Sequence, residues 1–578
     1  MFFGRPVPES TAPSQGIQTP PSGQSTSQGR VSAGLPFATA LITFLVFSPV
    51  LRNGFVDVWD DQTTITHNPD FNPPRLANLL HYWVPPPKDE FYVPVHYTIV
   101  GLTSMLARST SRGGVVVFNP APFHAASLIA HALAAMLVFL ILMQLVNKPW
   151  AAFAGALVFA LHPIQAEAVA WASTLYTPLS GMLGLAAVWQ FLHCSRQSDL
   201  HNRRAARIHY ASATLFFVLA MLTKPAAASV PLIIAAIEIG WRKRRALSLA
   251  LSLGAWILLA IPIVLATKLG TPAGTVGRLE PWQRAIVALD AVAFYLGKIF
   301  WPLHLTADYG RSPSNVLADP WAWWICLVPI ALFVIARMLR VRAPWLGAAV
   351  GVFVAGLLPT LGLASFNFQA FSTVANRFAY FAMLAIAMIV AMVASRLSSK
   401  ALAPLLVLTA GGLGALSIVQ LRQWQNPWTL FASTIEARPD SRIVGSNIRF
   451  MFTPEVEAHC TLPPAQLVRL GDLLMGQRRA AQAAAVYDLA ILRGSRDSAT
   501  YGRLAEALLQ SEKRAEAERA VREALVLNPN DAAAHATLGD LYIRDDVQRA
   551  AEEYRHALRL DPGNARARRG LAATGANN

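Results

Sequence analysis

The sequence predicts an all-α protein in which a bundle of membrane-spanning helices is followed by a soluble domain of helical repeats. The 578 residues are 54% hydrophobic and only 14% charged, a composition typical of a polytopic membrane protein with a soluble part attached. From position 428 onward the long apolar runs give way to amphipathic segments that repeat. We therefore predict a disordered N-terminal tail at 1–34, a membrane domain at 35–427 and a repeat domain at 428–578.

The membrane domain is predicted to cross the bilayer about 11 times, given that a spanning helix needs ~20 residues. The predicted spans are Leu35–Leu51, Ala121–Val146, Ala151–His162, Trp171–His193, two short spans within Tyr210–Trp241, Ala246–Thr267, Trp321–Arg337, Leu346–Leu363, Phe378–Ser395 and Leu402–Leu421. An odd number of spans places the two ends of the chain on opposite sides. With the N-terminal tail in the cytoplasm, the repeat domain faces outward.

The net charge of +16 lies in the membrane domain. From Trp428 onward 20 Lys and Arg oppose 19 Asp and Glu, which leaves 29 basic and 14 acidic residues upstream. The upstream excess is concentrated in short loops, such as those at Arg203–Arg207, Arg242–Arg245 and Arg337–Arg342. Basic short loops mark the cytoplasmic side of a membrane protein, so this pattern argues against a nucleic-acid surface.

Two large outer loops are predicted, at 53–120 and 268–320. Within the first, Tyr92–Ala107 is apolar but short, with Pro94 near its start, and is interpreted as an interfacial or re-entrant helix. Within the second, Ala285–Trp301 contains Asp290 and Lys298 and is interpreted as a helix that does not span.

The first outer loop carries an acidic pair, Asp60 and Asp61, in the stretch NGFVDVWDDQTTITHNPD just past the first span. A carboxylate held at the lipid–water boundary can take a proton from a soluble acceptor while a lipid-borne donor lies beside it. We therefore predict these two residues as catalytic. The alternative is an ordinary solvated polar loop.

Two cations are predicted to bind the phosphate of a lipid donor. Lys224, in LTKPAAASVP, lies between apolar runs, where a lysine needs a partner such as a lipid phosphate. Arg377, in STVANRFAYF, begins a predicted span from its outer side, and its guanidinium can hold a phosphate in bidentate fashion. The alternatives are a lysine that reaches out to water at a turn and an arginine that anchors the helix at the interface.

Four further residues are accessory candidates because they lie in predicted outer turns. They are His162, Glu167, Asp308 and Tyr309. The alternative for the first two is a structural turn with polar caps. His124 and His131 share a helix face and favour polar contacts between helices over a metal site. We predict no metal-binding residues and no cofactor, and leave a requirement for a divalent cation open.

The C-terminal part repeats with a period of tetratricopeptide length. Tyr487, Val521 and Tyr554 occupy equivalent helix positions, 34 and 33 residues apart. Each is followed three residues later by an alanine, which allows close helix packing. This spacing predicts tetratricopeptide helix pairs, with a degenerate first unit within Trp428–Cys460; a plain helical bundle is the alternative.

The order of these motifs resembles that of the transmembrane and tetratricopeptide repeat protein O-mannosyltransferase family and its bacterial relatives. The resemblance covers nearly everything after Leu35 and rests on NGFVDVWDDQTTITHNPDF, NPAPFHAASLIAHALAAMLVF, ALHPIQAEAVAWASTLYTPLSG, LTKPAAASVP, WPLHLTADYG, STVANRFAYF and the repeat units. It implies a C-type glycosyltransferase fold, an inverting mechanism and a polyprenyl-phosphate sugar donor. By match of the acidic pair it also implies that Asp60 is the catalytic base and Asp61 its neighbour.

The sequence departs from that pattern at three places. Tyr92-Val93-Pro94 stands where an Arg-Pro dipeptide is expected, STLYTPLSG lacks a basic and acidic pair, and Asn376 replaces an acid. These departures concern the site and leave the predicted fold unchanged.

The predicted function is transfer of a mannose-like sugar from a polyprenyl phosphate to Ser or Thr hydroxyls of an exported protein held by the repeats. The resemblance to bacterial proteins implies a bacterial inner or plasma membrane, with the repeat domain on the outer, periplasmic side. Membrane lipid, the lipid-linked donor and the acceptor are the predicted partners, and nucleic acid is excluded. Two rival functions stay open: a non-catalytic scaffold that binds proteins through the repeats, and a transporter of lipid-linked sugar that uses Lys224 and Glu238.

The predicted topology can be tested by cysteine labelling of intact cells. In a chain whose three native cysteines are replaced by serine, we expect Asn530→Cys to react with a membrane-impermeant maleimide, because the repeat domain faces outward. His201→Cys, in a predicted cytoplasmic loop, serves as the control and should react only after lysis. Labelling of Asn530→Cys only after lysis would show that the topology is inverted.

Overall fold

The computed structural model describes residues 24–84, 92–112, 115–270, 279–439 and 460–575, together with isolated positions between 440 and 459. It is overwhelmingly helical, which confirms the predicted all-α class. Residues 1–23 of the predicted tail lie outside the described part. Residues 24–34 open the first helix, so the helix begins earlier than the predicted boundary at Leu35.

The helices that precede the repeat units are joined partly by short turns and partly by long segments, such as 48–75 after the first helix and 358–382 before the helix Met383–Ala394. They are α1 (Gln24–Phe47), α2 (Leu76–Leu79), α3 (Pro94–Leu106), α4 (Ala121–Val146), α5 (Pro149–Leu161), α6 (Ala166–Ala170), α7 (Tyr176–Asp199), α8 (Arg203–Met221), α9 (Val230–Ala236), α10 (Ala246–Gly270), α11 (Pro281–Phe300), α12 (Pro313–Ala318), α13 (Ala322–Ile325), α14 (Leu327–Met338), α15 (Pro344–Leu357), α16 (Met383–Ala394), α17 (Ser399–Arg422) and α18 (Pro427–Ala437). The predicted interfacial segment in the first large loop is therefore a helix, α3, which Pro94 opens.

A small β-hairpin follows α3 and was not predicted. Strand β1 (Arg108–Arg112) pairs antiparallel with β2 (Val115–Phe118), with Arg108 opposite Phe118. The run of three valines before Phe118 favours a strand, because β-branched residues fit a pleated surface. In the described part of the chain this two-stranded sheet is the exception to the all-α class.

Fewer helices are long enough to span a membrane than the predicted count of about 11. Within the described residues five qualify by length and composition: Ala33–Arg52, Ala121–Val146, Ala172–Asp199, Leu249–Thr267 and Ser399–Arg422. A sixth span is obtained if Pro149–Leu161 and Pro163–Ala170, which meet at 47°, are counted as one. Most of the other predicted spans are short or broken; for example, Phe378–Ser395 shortens to α16 after a 3₁₀ turn at Asn376–Ala379. α11 is not among the qualifying helices, in keeping with its prediction as a helix that does not span.

The core of the membrane bundle is built on close contacts between small residues. α5 packs against α16 at Gly155, where an added methyl group would lie 2.4 Å from the Ala387 carbonyl oxygen. Gly356 of α15 makes a similar approach to the backbone at Ala382, at 2.6 Å. Small residues at helix interfaces let backbones approach within a membrane, where dispersion forces must supply the attraction.

The repeat domain consists of helix pairs in the predicted register. The pairs are α19 (Pro464–Gly476) with α20 (Ala480–Leu492), α21 (Ser498–Gln510) with α22 (Arg514–Leu527), and α23 (Ala532–Tyr542) with α24 (Val547–Leu560), followed by α25 (Ala565–Ala573). Tyr487, Val521 and Tyr554 lie buried in the second helix of each pair.

A size rule governs the contact within each pair. The rings of Tyr487 and Tyr554 lie against Gly471 and Gly539 of the preceding helix. The equivalent position of the middle pair, 34 residues from each glycine, is Ala505, and the second helix of that pair carries the smaller Val521. A large residue on one helix is thus matched by a small one on the other, as dense packing requires.

The first outer loop connects the membrane bundle to the start of the repeat domain. The Gly54 amide donates a hydrogen bond to the Gln425 carbonyl at 2.8 Å, and the side-chain amide of Asn53 donates to the Trp424 carbonyl at 3.1 Å. Further along, the Trp59 ring packs edge-on against Phe431 of α18, with centroids 5.9 Å apart. The part of the loop before the acidic pair is thereby fixed against α18 and the segment that precedes it.

The size rule predicts the stability of glycine variants in the repeats. In Gly539→Ala the new methyl group would meet the Tyr554 ring at 2.6 Å, and we expect such overpacking to lower the free energy of unfolding by about 1–2 kcal/mol. Gly502→Ala is the matched control, because Gly502 lies within a helix and no atom lies within 4 Å of an added methyl group; it should raise that free energy by about 0.5–1 kcal/mol. Urea-dependent pulse proteolysis of the full chain measures both, and equal stability in the two variants would contradict the rule.

Candidate functional site

Four segments that are far apart in sequence meet beside the first turn of α7. They are the loop after α1, the short helix α6, the turn after α8 and the 3₁₀ turn before α16. They bring Asp60, Glu167, Lys224 and Arg377 close enough for Arg377 to interact electrostatically with the other three. The two predicted phosphate-binding cations therefore line one recess, and the predicted catalytic acid lies within electrostatic range of Arg377.

Asp61 is a buried anchor of the acidic loop. One carboxylate oxygen accepts a hydrogen bond from the Val56 amide at 2.7 Å. The other accepts from the Ser173 amide at 2.9 Å and from the Ser173 hydroxyl. Burial raises the pKa of Asp61 to about 6, although the bonds from Ser173 and Val56 oppose the rise. With both oxygens engaged, Asp61 is suited to hold the loop rather than to exchange protons with a ligand.

Asp60 is the open member of the pair. Its side chain is accessible to solvent even though protein atoms surround it on most sides. Only its backbone carbonyl is engaged within the loop, where it accepts from the Thr64 amide at 2.8 Å and from the Thr64 hydroxyl at 2.6 Å. Desolvation raises the pKa of Asp60 above its usual value, and the nearby Arg377 counteracts that rise. A carboxylate with a raised pKa and no side-chain bond among the described residues is free to act as a base.

Glu167 and Arg377 form a buried ion pair. A guanidinium nitrogen, Nη1, contacts Glu167 Oε1, and the Asn376 amide donates to Glu167 Oε2 at 3.2 Å. The guanidinium carbon lies 4.5 Å from the centroid of Phe368 and 5.2 Å from that of Trp171. Glu167 was predicted only as an accessory candidate, and its place in the structure is that of a counter-ion.

Arg377 keeps a donor that no described residue uses. Its Nε atom is buried and has no hydrogen-bond partner in the described part of the chain. A buried charged donor without a partner is costly, and a ligand phosphate oxygen would satisfy it. The ion pair with Glu167 therefore holds Arg377 in place without using all of its hydrogen-bond donors.

Lys224 points into the same recess rather than outward to water. Its ammonium donates to the Thr177 hydroxyl at 2.9 Å and lies 4.8 Å from the centroid of the Tyr176 ring. A narrow cavity of about 20 Å³ is lined by Lys224, Thr177 and Arg377. Apolar residues complete its wall: Ala226, Gly356, Pro359, Phe378 and Phe381. Cationic and hydroxyl donors in an apolar setting suit an anionic group attached to a hydrocarbon chain.

The remaining accessory candidates support the site and do not line it. His162 Nε2 lies 3.0 Å from the Ile299 carbonyl, and its Nδ1 accepts from the Ile164 amide at 3.2 Å, so the imidazole ties a turn to α11. Asp308 accepts from the Ser441 hydroxyl at 2.6 Å and from the Gly310 amide at 2.7 Å. Asp308 therefore braces the segment before the repeats and does not close over the recess.

Tyr309 links that brace to the ion pair. Its hydroxyl donates to the Asn376 side chain at 2.7 Å and accepts from the Thr306 amide at 3.2 Å. Since the backbone amide of Asn376 donates to Glu167, hydrogen bonds run from Tyr309 through Asn376 to the buried carboxylate.

The histidines of α4 make polar contacts between helices. A ring nitrogen of His131 lies 2.8 Å from the Tyr380 hydroxyl and the other 3.0 Å from the Ala160 carbonyl. His124 Nε2 lies 3.3 Å from the Gly54 carbonyl. Among the described residues no group of three or more His, Cys, Asp or Glu side chains is close enough to hold a metal ion.

Sequence reasoning missed the neutral members of the site. Ser173, Tyr176 and Thr177 all come from the stretch STLYTPLSG, which attracted notice only because it lacks charge. Hydroxyl residues are common in loops and helix ends, so their type alone gives no signal. Their closeness in sequence to the HPIQAE turn is the signal that could have identified them.

No protein-family model matches this sequence, and no curated protein matches it. Solved structures that resemble parts of the chain are tetratricopeptide proteins. The second TPR domain of human RPAP3, in complex with an HSP70 peptide, is 21% identical and covers 20% of this chain and 99% of that one, with a TM-score of 0.18. The yeast Tom70 structure is 14% identical over 74% of this chain and 92% of that one, with a TM-score of 0.19.

The APC/C hetero-tetramer Cut9–Hcn1 gives similar values, with 14% identity over 79% of this chain and 90% of that one and a TM-score of 0.22. Likenesses with such low TM-scores do not establish a common fold. The assignment of the repeat domain rests instead on the helix pairs and their 34-residue spacing described above.

The buried ion pair predicts a large loss of stability when one partner is neutralised. Glu167→Gln leaves Arg377 buried without its counter-ion, and we expect the free energy of unfolding to fall by about 3–5 kcal/mol. The matched control is Glu436→Gln, which removes an exposed partner 2.6 Å from Arg469 and should change stability by less than ~1 kcal/mol. Thermal unfolding in detergent, read by loss of monodisperse protein, checks both; an unchanged melting temperature for Glu167→Gln would show that the pair does not stabilise the fold.

Proposed function

We propose that this protein is an integral membrane glycosyltransferase of the outer face of the membrane. It moves a mannose-like sugar from a polyprenyl phosphate to Ser or Thr hydroxyls of an exported protein. The observation that carries the proposal is the convergence of an open carboxylate, Asp60, with two cations, Lys224 and Arg377, from three distant segments. A base beside a cationic, partly apolar cavity is the arrangement that such a transfer requires.

The proposed reaction is a single displacement at the anomeric carbon. Asp60 accepts the proton of the acceptor hydroxyl as its oxygen attacks that carbon. The bond between the anomeric carbon and the phosphate oxygen breaks, and the electron pair leaves with the polyprenyl phosphate. Attack from the face opposite the leaving group inverts the configuration.

The two cations have complementary roles in this scheme. Lys224 and the free Nε donor of Arg377 stabilise the charge that develops on the leaving phosphate. The apolar residues that line the cavity offer contacts to the first part of the polyprenyl chain. Asp61, bound to Ser173 and Val56, holds the loop so that Asp60 faces the recess.

The repeat domain is the proposed holder of the acceptor protein, since stacked helix pairs present an extended surface to a peptide. For this to work, the repeats and the acidic loop must lie on the same, outer side of the membrane. The contact of Trp59 with Phe431 of α18, and the bond from Gly54 to Gln425 just before that helix, support that arrangement.

A non-catalytic scaffold is the second candidate function, favoured by the regular helix pairs alone. It requires a protein-binding surface and no open carboxylate. A transporter of lipid-linked sugar is less well supported, because Glu238 is paired with Arg242 at 3.3 Å and with Arg244 at 3.0 Å instead of facing a path shared with Lys224.

The transferase proposal predicts the effect of neutralising the base. Asp60→Asn keeps the size of the side chain but cannot accept the proton, so turnover should fall by roughly 10²–10⁴-fold. Because the pKa of Asp60 is raised, the wild-type rate should decline as pH falls, with a midpoint above the range of an ordinary aspartate. Purified protein in nanodiscs, given polyprenyl-phosphate sugars and a Ser/Thr-rich peptide, provides the assay.

Asp57→Asn is the matched control, because Asp57 belongs to the same loop but accepts a hydrogen bond from Thr66 at 3.0 Å. Its turnover should stay within a few-fold of wild type. Full activity of Asp60→Asn would remove Asp60 as the base, and wild-type protein that is inactive with every donor would favour the scaffold.

A further inference from the structure

An open groove lies at the junction between the membrane bundle and the repeats, apart from the recess. It has a volume of about 250 Å³ and is bounded by the end of α17, by α18 and by α19, the first helix of the repeat units. The cavity of the recess is far smaller, at about 20 Å³. No described residue lines both, and no step of the proposed reaction uses the groove.

The groove has an apolar floor and polar walls. Leu462 and Leu470 form the floor and are buried in the core that α18 shares with the first repeat unit. The amides and hydroxyls of the walls come from Gln423, Thr429, Ser433 and Gln466. A floor that accepts an apolar side chain, surrounded by groups that can bond a peptide backbone, suits a short stretch of polypeptide.

Hydrogen bonds within the protein hold these walls in place. The side-chain amide of Asn426, the residue before α18, donates to the Thr461 hydroxyl at 2.7 Å. The Thr429 hydroxyl donates to the Gln423 carbonyl at 3.1 Å, which ties α18 to the end of α17. A groove whose walls are already ordered binds a ligand with a smaller loss of entropy.

The charge of the groove favours an anionic ligand. Arg422 and Arg469 line it and are opposed by one acid, Glu436. Glu436 lies 2.6 Å from Arg469, whereas Arg422 has no ion pair or side-chain hydrogen bond with any described residue. Both members of the Glu436–Arg469 pair are exposed, and pairs of that kind are weak. A ligand carboxylate would therefore meet one unpaired guanidinium and a second that is loosely held.

Farther along the stack of repeats, two arginines are already paired. Arg503 lies 3.1 Å from Asp472, and Arg566 lies 2.6 Å from Asp540 and 3.2 Å from Glu506. The three acids are 34 residues apart, so the pairs form a row that begins on α19, one wall of the groove. The positive charge of this row is neutralised within the protein, and that of the groove is not.

One aromatic contact separates the groove from the acidic loop. Trp59, directly before the proposed base Asp60, packs edge-on against Phe431 of α18, with centroids 5.9 Å apart. Phe431 in turn directly precedes two residues of the groove wall, Ala432 and Ser433. The groove is thus fixed relative to the loop that carries the base.

Stacked rings also connect the groove with the recess. Gln423 lines the groove, and the next residue, Trp424, stacks on Trp171 with centroids 5.5 Å apart. Trp171 lies 5.2 Å from the guanidinium carbon of Arg377. A peptide bound in the groove is therefore held near the recess through packed side chains.

We propose that the groove binds a short acidic segment of the acceptor polypeptide, in which a carboxylate meets Arg422 and a neighbouring apolar side chain rests on Leu462 and Leu470. This inference rests on the proposed function for the identity of the polypeptide as the acceptor, and it names what is recognised beside the modified hydroxyl. A membrane lipid suits the groove less well, because one wall is α19, an amphipathic helix of the repeats that is too short to span a bilayer.

The test measures peptide binding to full-length protein in nanodiscs of phosphatidylcholine. The probes are two fluorescent Ser/Thr peptides with a central leucine that differ only at its two neighbours, which are glutamates in one peptide and glutamines in the other. We expect the acidic peptide to bind wild-type protein roughly tenfold more tightly. Arg422→Gln should abolish most of that preference. Arg519→Gln, which removes an exposed arginine of α22 outside the groove, is the matched control and should retain it.

A second variant obstructs the groove without touching its charges. Ser433→Phe places a ring in the open space between α18 and α19, and we expect it to weaken the binding of both peptides by at least about tenfold. Ala437→Phe is its matched control, because Ala437 is exposed on the same helix and does not line the groove. It should bind both peptides as wild type does.

The outcomes separate this inference from the proposed function. Equal affinities for the two peptides, no binding of either, or an unchanged preference in Arg422→Gln would overturn the inference. An unchanged preference together with lower retention of phosphatidylglycerol in native mass spectrometry would assign Arg422 to lipid instead. Peptide binding as expected, without turnover from any donor, would remove the transferase proposal and leave the groove as the docking site of a scaffold.

Discussion

The buried pair of Glu167 and Arg377 is the constraint on which the rest of the site depends. Removing two charges from water carries a large desolvation penalty, which is offset only when the charges meet each other and their remaining polar atoms are bonded. The protein brings the two charges together on a short helix, α6, which carries Glu167, and on a 3₁₀ turn, which carries Arg377, and leaves the Nε of Arg377 for a ligand. Both elements interrupt what would otherwise be continuous apolar helices.

That interruption explains why so few helices of the predicted membrane domain are long enough to span a bilayer. A helix break exposes backbone amides and carbonyls, and such groups are tolerated at membrane depth only where protein or a polar cavity satisfies them. Here the breaks serve the site, because the Asn376 amide bonds Glu167 and the backbone after Trp171 bonds Asp61 through Ser173. The irregular backbone and the polar recess thus belong together.

The sequence predicted the parts of the structure that have a simple pattern. The repeat period set the places of Tyr487, Val521 and Tyr554, and the charges of Asp60, Lys224 and Arg377 stood out against apolar surroundings. Lys224 and Arg377 line one cavity, and Arg377 lies within electrostatic range of Asp60. Sequence reasoning can find single residues whose charge or size differs strongly from that of their neighbours in the sequence.

What the sequence did not predict depends on contacts between distant segments. The partner of Arg377 could not be read from local context, since Glu167 lies 210 residues away. The bonds that turn Asp308 towards Ser441 are also invisible locally. Hydropathy could not separate intact spans from broken ones, because a break at Asn376–Ala379 changes the backbone without changing the apolar composition around it.

The contacts of the first loop with α18 have a consequence for which acceptors fit. Because Trp59 packs against Phe431 and Gly54 bonds Gln425 just before α18, the start of the predicted repeat region is held against the acidic loop. Under the proposed function, the distance from the bound stretch of an acceptor to Asp60 is then nearly constant. An extended polypeptide advances about 3.3 Å per residue. The enzyme would therefore modify hydroxyls that lie a fixed number of residues along the acceptor from the recognised segment.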